Sequence, residues 1–189
     1  MIQKLLIATL ALALVGAVAV AQPVVDGVIN DGEYANTLTH AESDAVLHWT
    51  VEGDNLHMAF TMPARGWAGI GWLTEKTNRK AGGDVLIVTV QDGAPVILDM
   101  FQESARGEPV LDTDEGGSNS YTEFAASHEN DVWTVEFVRP LATGQDTDVD
   151  IVPGKSYVFM LAYATVMDPG RAHARSTAGG AYYIEDFKF

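Results

Sequence analysis

The 189-residue sequence contains no cysteine. That absence excludes disulfides, covalent c-type haem attachment, iron–sulfur clusters, thiolate nucleophiles and cysteine-based zinc sites together. Basic residues are scarce as well: 11 Lys and Arg stand against 26 Asp and Glu, a formal net charge of −15. Such a surface repels nucleic acid and anionic lipid, and suits solubility or a basic protein partner. Catalytic signatures are also missing. There is no Gly-x-Ser-x-Gly elbow, no His-Glu-x-x-His, no phosphate loop and no dinucleotide fingerprint. The chain is therefore read as a non-enzyme, although an acidic sequence always offers carboxylate pairs.

Long apolar runs are absent except for one, Leu5 to Val20, which follows Lys4 and ends in the small-x-small tripeptide Ala19-Val20-Ala21. A charged start, an apolar stretch and a small-residue site are the parts of a secretory signal. The run is short for a membrane span of about 20 residues. The expected arrangement is a signal peptide over 1–21, cut before Gln22, and a single domain over 22–189. That domain keeps ten basic and 26 acidic side chains, net −16, and has no membrane span of its own. The expected location is secreted or periplasmic.

The rest reads as short strands separated by turns. Residues 45–51 and 56–62 form a hairpin around Gly53-Asp54, with Leu56, Met58, Phe60 and Met62 on one face. Further strands are expected at 67–72, 85–91, 96–101, 121–127, 132–138, 156–164 and 182–189. Residues 103–120, 139–154 and 165–180 read as loops. No amphipathic helix of three turns appears. The expected fold is an all-β, Ig-like antiparallel β-sandwich of about nine to eleven strands. Two acidic loop stretches, Asp112-Thr113-Asp114-Glu115-Gly116-Gly117 and Asp146-Thr147-Asp148-Val149-Asp150, hold oxygens that calcium could use. Neither completes an EF-hand loop, because the closing Glu is absent, so both are read as solvated. His48 and His57 are read as lying on a solvated face.

Ordered motifs point further. Gly66-Trp67-Ala68-Gly69-Ile70-Gly71-Trp72 is followed by Gly82-Gly83-Asp84-Val85, then by Val96-Ile97-Leu98-Asp99. Glu136-Phe137-Val138-Arg139-Pro140-Leu141 and Met160-Leu161-Ala162-Tyr163 come later, and Val25-Asp26-Gly27-Val28-Ile29-Asn30-Asp31-Gly32-Glu33-Tyr34 opens the domain. In this order the pieces resemble the DOMON domain family, and the opening also resembles family-9 carbohydrate-binding modules. The resemblance implies a sandwich that binds either haem or a sugar.

In haem-binding members of that family, a b-type haem is held by a His in the loop after the late Ala-Tyr strand and by a Met shortly before the Gly-Ala-Asp strand. His173 falls at the first position, with Arg171 and Arg175 beside it as partners for propionates. At the second position stands Lys80. Three outcomes stay open there: Lys80 ligates as a neutral amine, another donor such as Met58, Met62 or Met167 does so, or haem has been lost. Trp67, Trp72, Met58, Phe60 and Tyr163 could line the ring, and each is equally an ordinary core residue. The resemblance thus implies haem b, iron ligands His173 and Lys80, and electron exchange with a redox protein or a membrane electron-transfer component. The alternative is a non-catalytic carbohydrate-binding module, gripping sugar through Trp49, Trp67, Trp72, Tyr121 or Trp133.

Overall fold

A computed structural model describes residues 22–74, 80–174 and 181–189. The expected signal peptide over 1–21 and the expected propionate partner Arg175 lie outside the described residues.

The strands are β1 (Asn36–His40), β2 (Ala45–Glu52), β3 (Asn55–Pro63), β4 (Ala68–Leu73), β5 (Gly83–Gln91) and β6 (Ala94–Gln102). They continue as β7 (Val110–Leu111), β8 (Glu123–Glu129), β9 (Val132–Pro140), β10 (Tyr157–Tyr163) and β11 (Tyr182–Phe187). One sheet has the order β1-β2-β3-β9-β8 and the other β11-β10-β4-β5-β6-β7. Every pairing is antiparallel. This is the β-sandwich expected from the pattern, with eleven strands among the described residues. The two strands not foreseen are the mostly exposed edge strand β1 and the two-residue β7. Neither has the apolar alternation that marks a half-buried strand. No helix among the described residues is long and apolar enough to cross a membrane.

Tight turns set the register. Asp92 and Gly93 have φ of 51° and 82°, and Asn130 and Asp131 have 52° and 62°. Positive φ at both central residues is the type I′ geometry that matches strand twist. Alternation then sends one set of side chains between the sheets. Met58, Phe60, Trp72, Trp133, Phe137 and Phe159 are all fully buried there. The Asp-Gly opening of the domain is fastened onto β9, because the Asp26 and Gly27 amides donate to Glu136 Oε2 at 3.1 and 2.6 Å. The Tyr34 hydroxyl donates to Glu136 Oε1 at 2.9 Å. His57 is buried rather than solvated, with Glu52 3.8 Å away.

Charge also lies inside the sandwich. Arg139 on β9 has no exposed surface and donates from Nη1 to Asp84 Oδ2 on β5 at 2.6 Å, joining the two sheets. Its guanidinium stands 4.9 Å from the Trp72 ring centroid. Asp99, Asp112 and Asp148 gather around the same pair. Here the structure corrects the reading of the acidic loops. Asp112 is 1% exposed and the Asp148 side chain 0%, whereas Asp114, Asp146 and Asp150 do face solvent. Burial pushes Asp84 and Asp99 up to about 7 and Asp112 up to about 6.

Two outcomes follow. Arg139→Met leaves Asp84 buried without its partner and is expected to cost ~3–5 kcal/mol in a denaturant melt, with Asp84→Leu in the same chain recovering most of it. The raised carboxyls hold protons in the folded chain to higher pH than in the unfolded one. Between the unfolded value of 3.8 and about 7, the folded state binds more protons, so stability falls as pH rises through that window. Thermal melts in buffer free of divalent cations should therefore show a lower Tm at pH 8 than at pH 5.

Candidate functional site

The outer face of the six-stranded sheet carries the opposite set of side chains. Gly69 and Gly71 of β4, Val85 and Ile87 of β5, and Met160 and Ala162 of β10 form an apolar floor. Over it lies a cavity of about 440 Å³, walled by the segments around Lys80, 102–109 and 169–173. That volume is in the range of small-molecule and cofactor sites.

The loop carrying Arg171 and His173 is fastened to the floor by backbone. The Gly66 amide donates to Ala164 O at 2.9 Å, and the Trp67 amide to Val166 O at 3.0 Å. A Cβ on Gly66 would fall 2.1 Å from the Val166 carbonyl oxygen, so only glycine permits this approach. Trp67 is 4% exposed and donates from its indole N–H to Arg171 O at 3.2 Å. The Thr89 hydroxyl donates to Met167 O.

His173 lines the cavity, and its Nδ1 lies 2.9 Å from Ala174 O. A carbonyl only accepts, so Nδ1 carries a proton, and in the neutral ring Nε2 keeps its lone pair. That is the tautomer of a metal-ligating imidazole steadied by a backbone carbonyl. Ala174 is itself held, its amide donating to Tyr163 O at 2.7 Å. Lys80 lines the same cavity and donates from Nζ to Gly107 O at 2.9 Å. Burial lowers its pKa, opposed by the Glu108 carboxylate, which moves the amine toward the neutral form that can ligate. Arg106 and Arg171 add positive charge at the cavity. Arg171 is mostly exposed, with Asp168 Oδ2 3.7 Å from its Nε.

Of the residues singled out in the sequence, the structure brings His173, Lys80, Arg171 and Trp67 to one cavity. Trp72 and Met58 do not belong to it. Both have 0% exposure and lie between the sheets, Trp72 because strand alternation turns it away from Gly69 and Gly71, and Met58 because it sits on the inner face of the five-stranded sheet. The other proposed sulfur donors are no closer: Met62 is in the same core and Met167 packs against it. Met160 is the thioether that the sequence reading missed. A Cβ on Gly71 or Gly83 would come within 3.0 or 2.9 Å of its methyl carbon, so two glycines make room for it on the floor. Period-two alternation could have found it, since Phe159 and Leu161 point into the core on either side. Arg106 was missed because it lies in an irregular loop that reaches the cavity only through the fold.

An imidazole nitrogen, a partly desolvated amine and a thioether, set on an apolar floor with guanidinium groups beside it, fit a flat, largely apolar, metal-bearing ligand with anionic substituents. The sugar reading finds less support. All four tryptophans are at most 8% exposed, so none offers a ring face for stacking.

A family model described as DOMON domain matches residues 41–164. No curated protein is significantly similar in sequence. Among solved structures, the cytochrome b domain of pyranose dehydrogenase from Coprinopsis cinerea is similar at 15% identity and a TM-score of 0.51, over 79% of this chain and 80% of that one. The cytochrome domain of Myriococcum thermophilum cellobiose dehydrogenase is similar at 10% identity and a TM-score of 0.50, over 80% and 86%. At these identities the likeness establishes the shared fold.

The backbone fastening can be tested directly. Gly66→Ala should cost ~1–3 kcal/mol in a denaturant melt through overpacking. It should also increase protease cleavage within 165–174 under native conditions, where an exposed control such as Gly32→Ala leaves that loop protected.

Proposed function

The chain belongs to the DOMON domain family, and we propose that it is an exported domain that binds b-type haem in the outer-sheet cavity and exchanges single electrons with a protein partner. The observation that carries this reading is the meeting of His173 and Lys80 with two arginines on one apolar cavity, in a fold whose solved neighbours include two cytochrome domains. Haem, when bound, supplies reversible one-electron chemistry at iron.

The protein's own residues do the holding. His173 presents Nε2, with its ring orientation set by the Nδ1–H bond to Ala174 O. Lys80 would offer a neutral amine as a second donor to the iron, in exchange for its hydrogen bond to Gly107 O. Arg106 and Arg171 pair with carboxylates at the mouth. The glycines of β4 let a ring lie close to backbone, and Val85, Ile87 and Ala162 keep water from its face. With no catalytic signature in the sequence, the domain is a carrier rather than a catalyst. The cytochrome domains named above belong to dehydrogenases, which makes a redox protein the natural class of partner, and a net charge of −16 on the exported domain, ten basic against 26 acidic side chains, favours a basic surface on it.

Met160 is a second candidate for the Lys80 role, because its thioether already lies on the floor. Absorption spectra of the protein made in a haem-replete host separate these readings. A Soret band that shifts on dithionite reduction and is lost in His173→Ala is expected. Lys80→Ala should convert the low-spin spectrum toward high spin, while Met160→Leu leaves it unchanged. The reverse result would assign the thioether instead. A protein that stays colourless when haem is added would sink the haem proposal, and glycan binding would then be measured.

A further inference from the structure

The buried carboxyls around Arg139 form a second constellation, separate from the cavity. Asp84, Asp99 and Asp148 each place one carboxylate oxygen within 4.8 Å of the others. Two ligands on opposite sides of a calcium ion at 2.3–2.6 Å stand up to about 5 Å apart, so this spacing suits one shared cation. Proximity of acids alone is weak evidence. The decisive feature is how their oxygens are used.

Asp84 spends Oδ2 on Arg139 and on the Val149 amide at 3.2 Å. Asp99 spends Oδ2 on the Ser120 amide at 2.7 Å, and Asp148 spends Oδ2 on the Ser120 hydroxyl at 2.6 Å. In each residue the other oxygen, Oδ1, is buried and has no hydrogen-bond partner. Both oxygens of Asp112 are likewise buried and unpartnered, and Thr147 Oγ1 approaches them without forming a well-made hydrogen bond. The Tyr121 hydroxyl, also enclosed and unpartnered, faces the same charges. Native interiors rarely leave even one such group unsatisfied. Here the three grouped aspartates each keep an Oδ1 without a hydrogen bond, Asp148 Oδ1 having only Arg139 Nη2 at 3.7 Å, and Asp112, whose charge is felt by the same group, adds two more such oxygens beside it.

Four carboxylates against one guanidinium leave a formal excess of three negative charges. A divalent cation reduces it to one and gives every idle oxygen a partner. We propose that this cage is a binding site for a hard divalent cation, specifically calcium, held by Asp84, Asp99, Asp112 and Asp148. One oxygen each from Asp84, Asp99 and Asp148 would form the centre of the site, and Asp112 from beside it, with Thr147 Oγ1 or water, would complete the six to eight oxygens that calcium takes. Magnesium is disfavoured because it keeps several waters and demands a strict octahedron, and the cage contains no nitrogen or sulfur donor for softer metals. Two of the ligands come from the acidic loops that fail the EF-hand pattern. The fold, not a local loop, assembles the site.

The test uses the exported chain without haem, so its outcome is independent of the cavity. After EDTA treatment, native mass spectrometry and thermal melts are run with added calcium or magnesium. One calcium per chain is expected, with Tm raised by about 5–10 °C at ~100-fold excess over Kd and little effect of magnesium. Asp112→Asn is the informative variant, because that side chain makes no hydrogen bond the fold depends on. It should weaken calcium binding by roughly tenfold or more while the calcium-free Tm is kept. Asp114→Asn and Asp146→Asn, exposed neighbours in the same loops, should bind as the parent does. A Tm indifferent to calcium and no retained metal would overturn the site. Binding lost equally in Asp114→Asn or Asp146→Asn would overturn it too, by assigning the ion to the loop surfaces.

Discussion

A guanidinium with no access to water dictates the interior of this sandwich. Arg139 cannot shed its charge, so the chain must supply an anion within hydrogen-bond reach, and Asp84 does so at 2.6 Å from the opposite sheet. Such a pair adds little net stability over a well-packed apolar replacement, because desolvation offsets most of the attraction. What it imposes is registry. A slip of β5 by one residue would turn Asp84 to the outer face and Val85 inward, stranding Arg139 among Trp72 and its neighbours. The pair therefore fixes which residues of β5 face the core, and through them which residues face the cavity.

β5 is where the two constellations meet back to back. Its Asp84 points inward to the carboxyl cage, while Gly83 lies under Met160 and Val85 belongs to the cavity floor. Lys80 follows from the same strand start, since the Gly83 amide donates to Lys80 O at 3.1 Å and the Gly82 amide to Gln102 O at 2.8 Å. The position of the amine over the cavity is thus tied, through three residues, to the buried charge behind the sheet. On the far side, Gly66 and Trp67 tie the His173 loop to β4. Lys80 and His173 thus both stand on short backbone connections to the sheet.

Much of this was legible in the sequence, for physical reasons that can be named. Alternation in Leu56–Met62 exposed a core face, and Gly53-Asp54 announced its hairpin. The ordered motifs pointed to a cavity with His173, Lys80, Arg171 and Trp67. What failed was the sorting of faces. Trp72 and Met58 were grouped with the site because large apolar side chains fit a cofactor as well as a core, whereas counting by two from Gly69 and Gly71 puts Trp72 on the opposite face. The acidic loops were misread for a different reason. Asp112 and Asp114 are chemically identical two positions apart, and only contacts with β6 and with Arg139 decide that one is buried and the other exposed. Arg106 was hidden similarly, in a loop without pattern.

The division of labour between the two faces explains how such a domain can carry a ligand without depending on it to fold. The inter-sheet core holds Trp72, Trp133, Phe60, Phe137, Phe159 and the leucines around them. The outer face gathers two smaller clusters, one of Trp67, Ile87, Met100 and Ala164 and one of Leu73, Val158 and Met160. Hydrophobic stabilisation scales with apolar area removed from water, so nearly all of it lies between the sheets. The loops over the outer face, by contrast, are held by a handful of backbone bonds and by single donors from Trp67, Thr89, Lys80 and Gln102. On the haem proposal, loss of a donor on that face would release the ligand and leave the sandwich standing, whereas loss of charge balance around Arg139 acts on the sandwich itself.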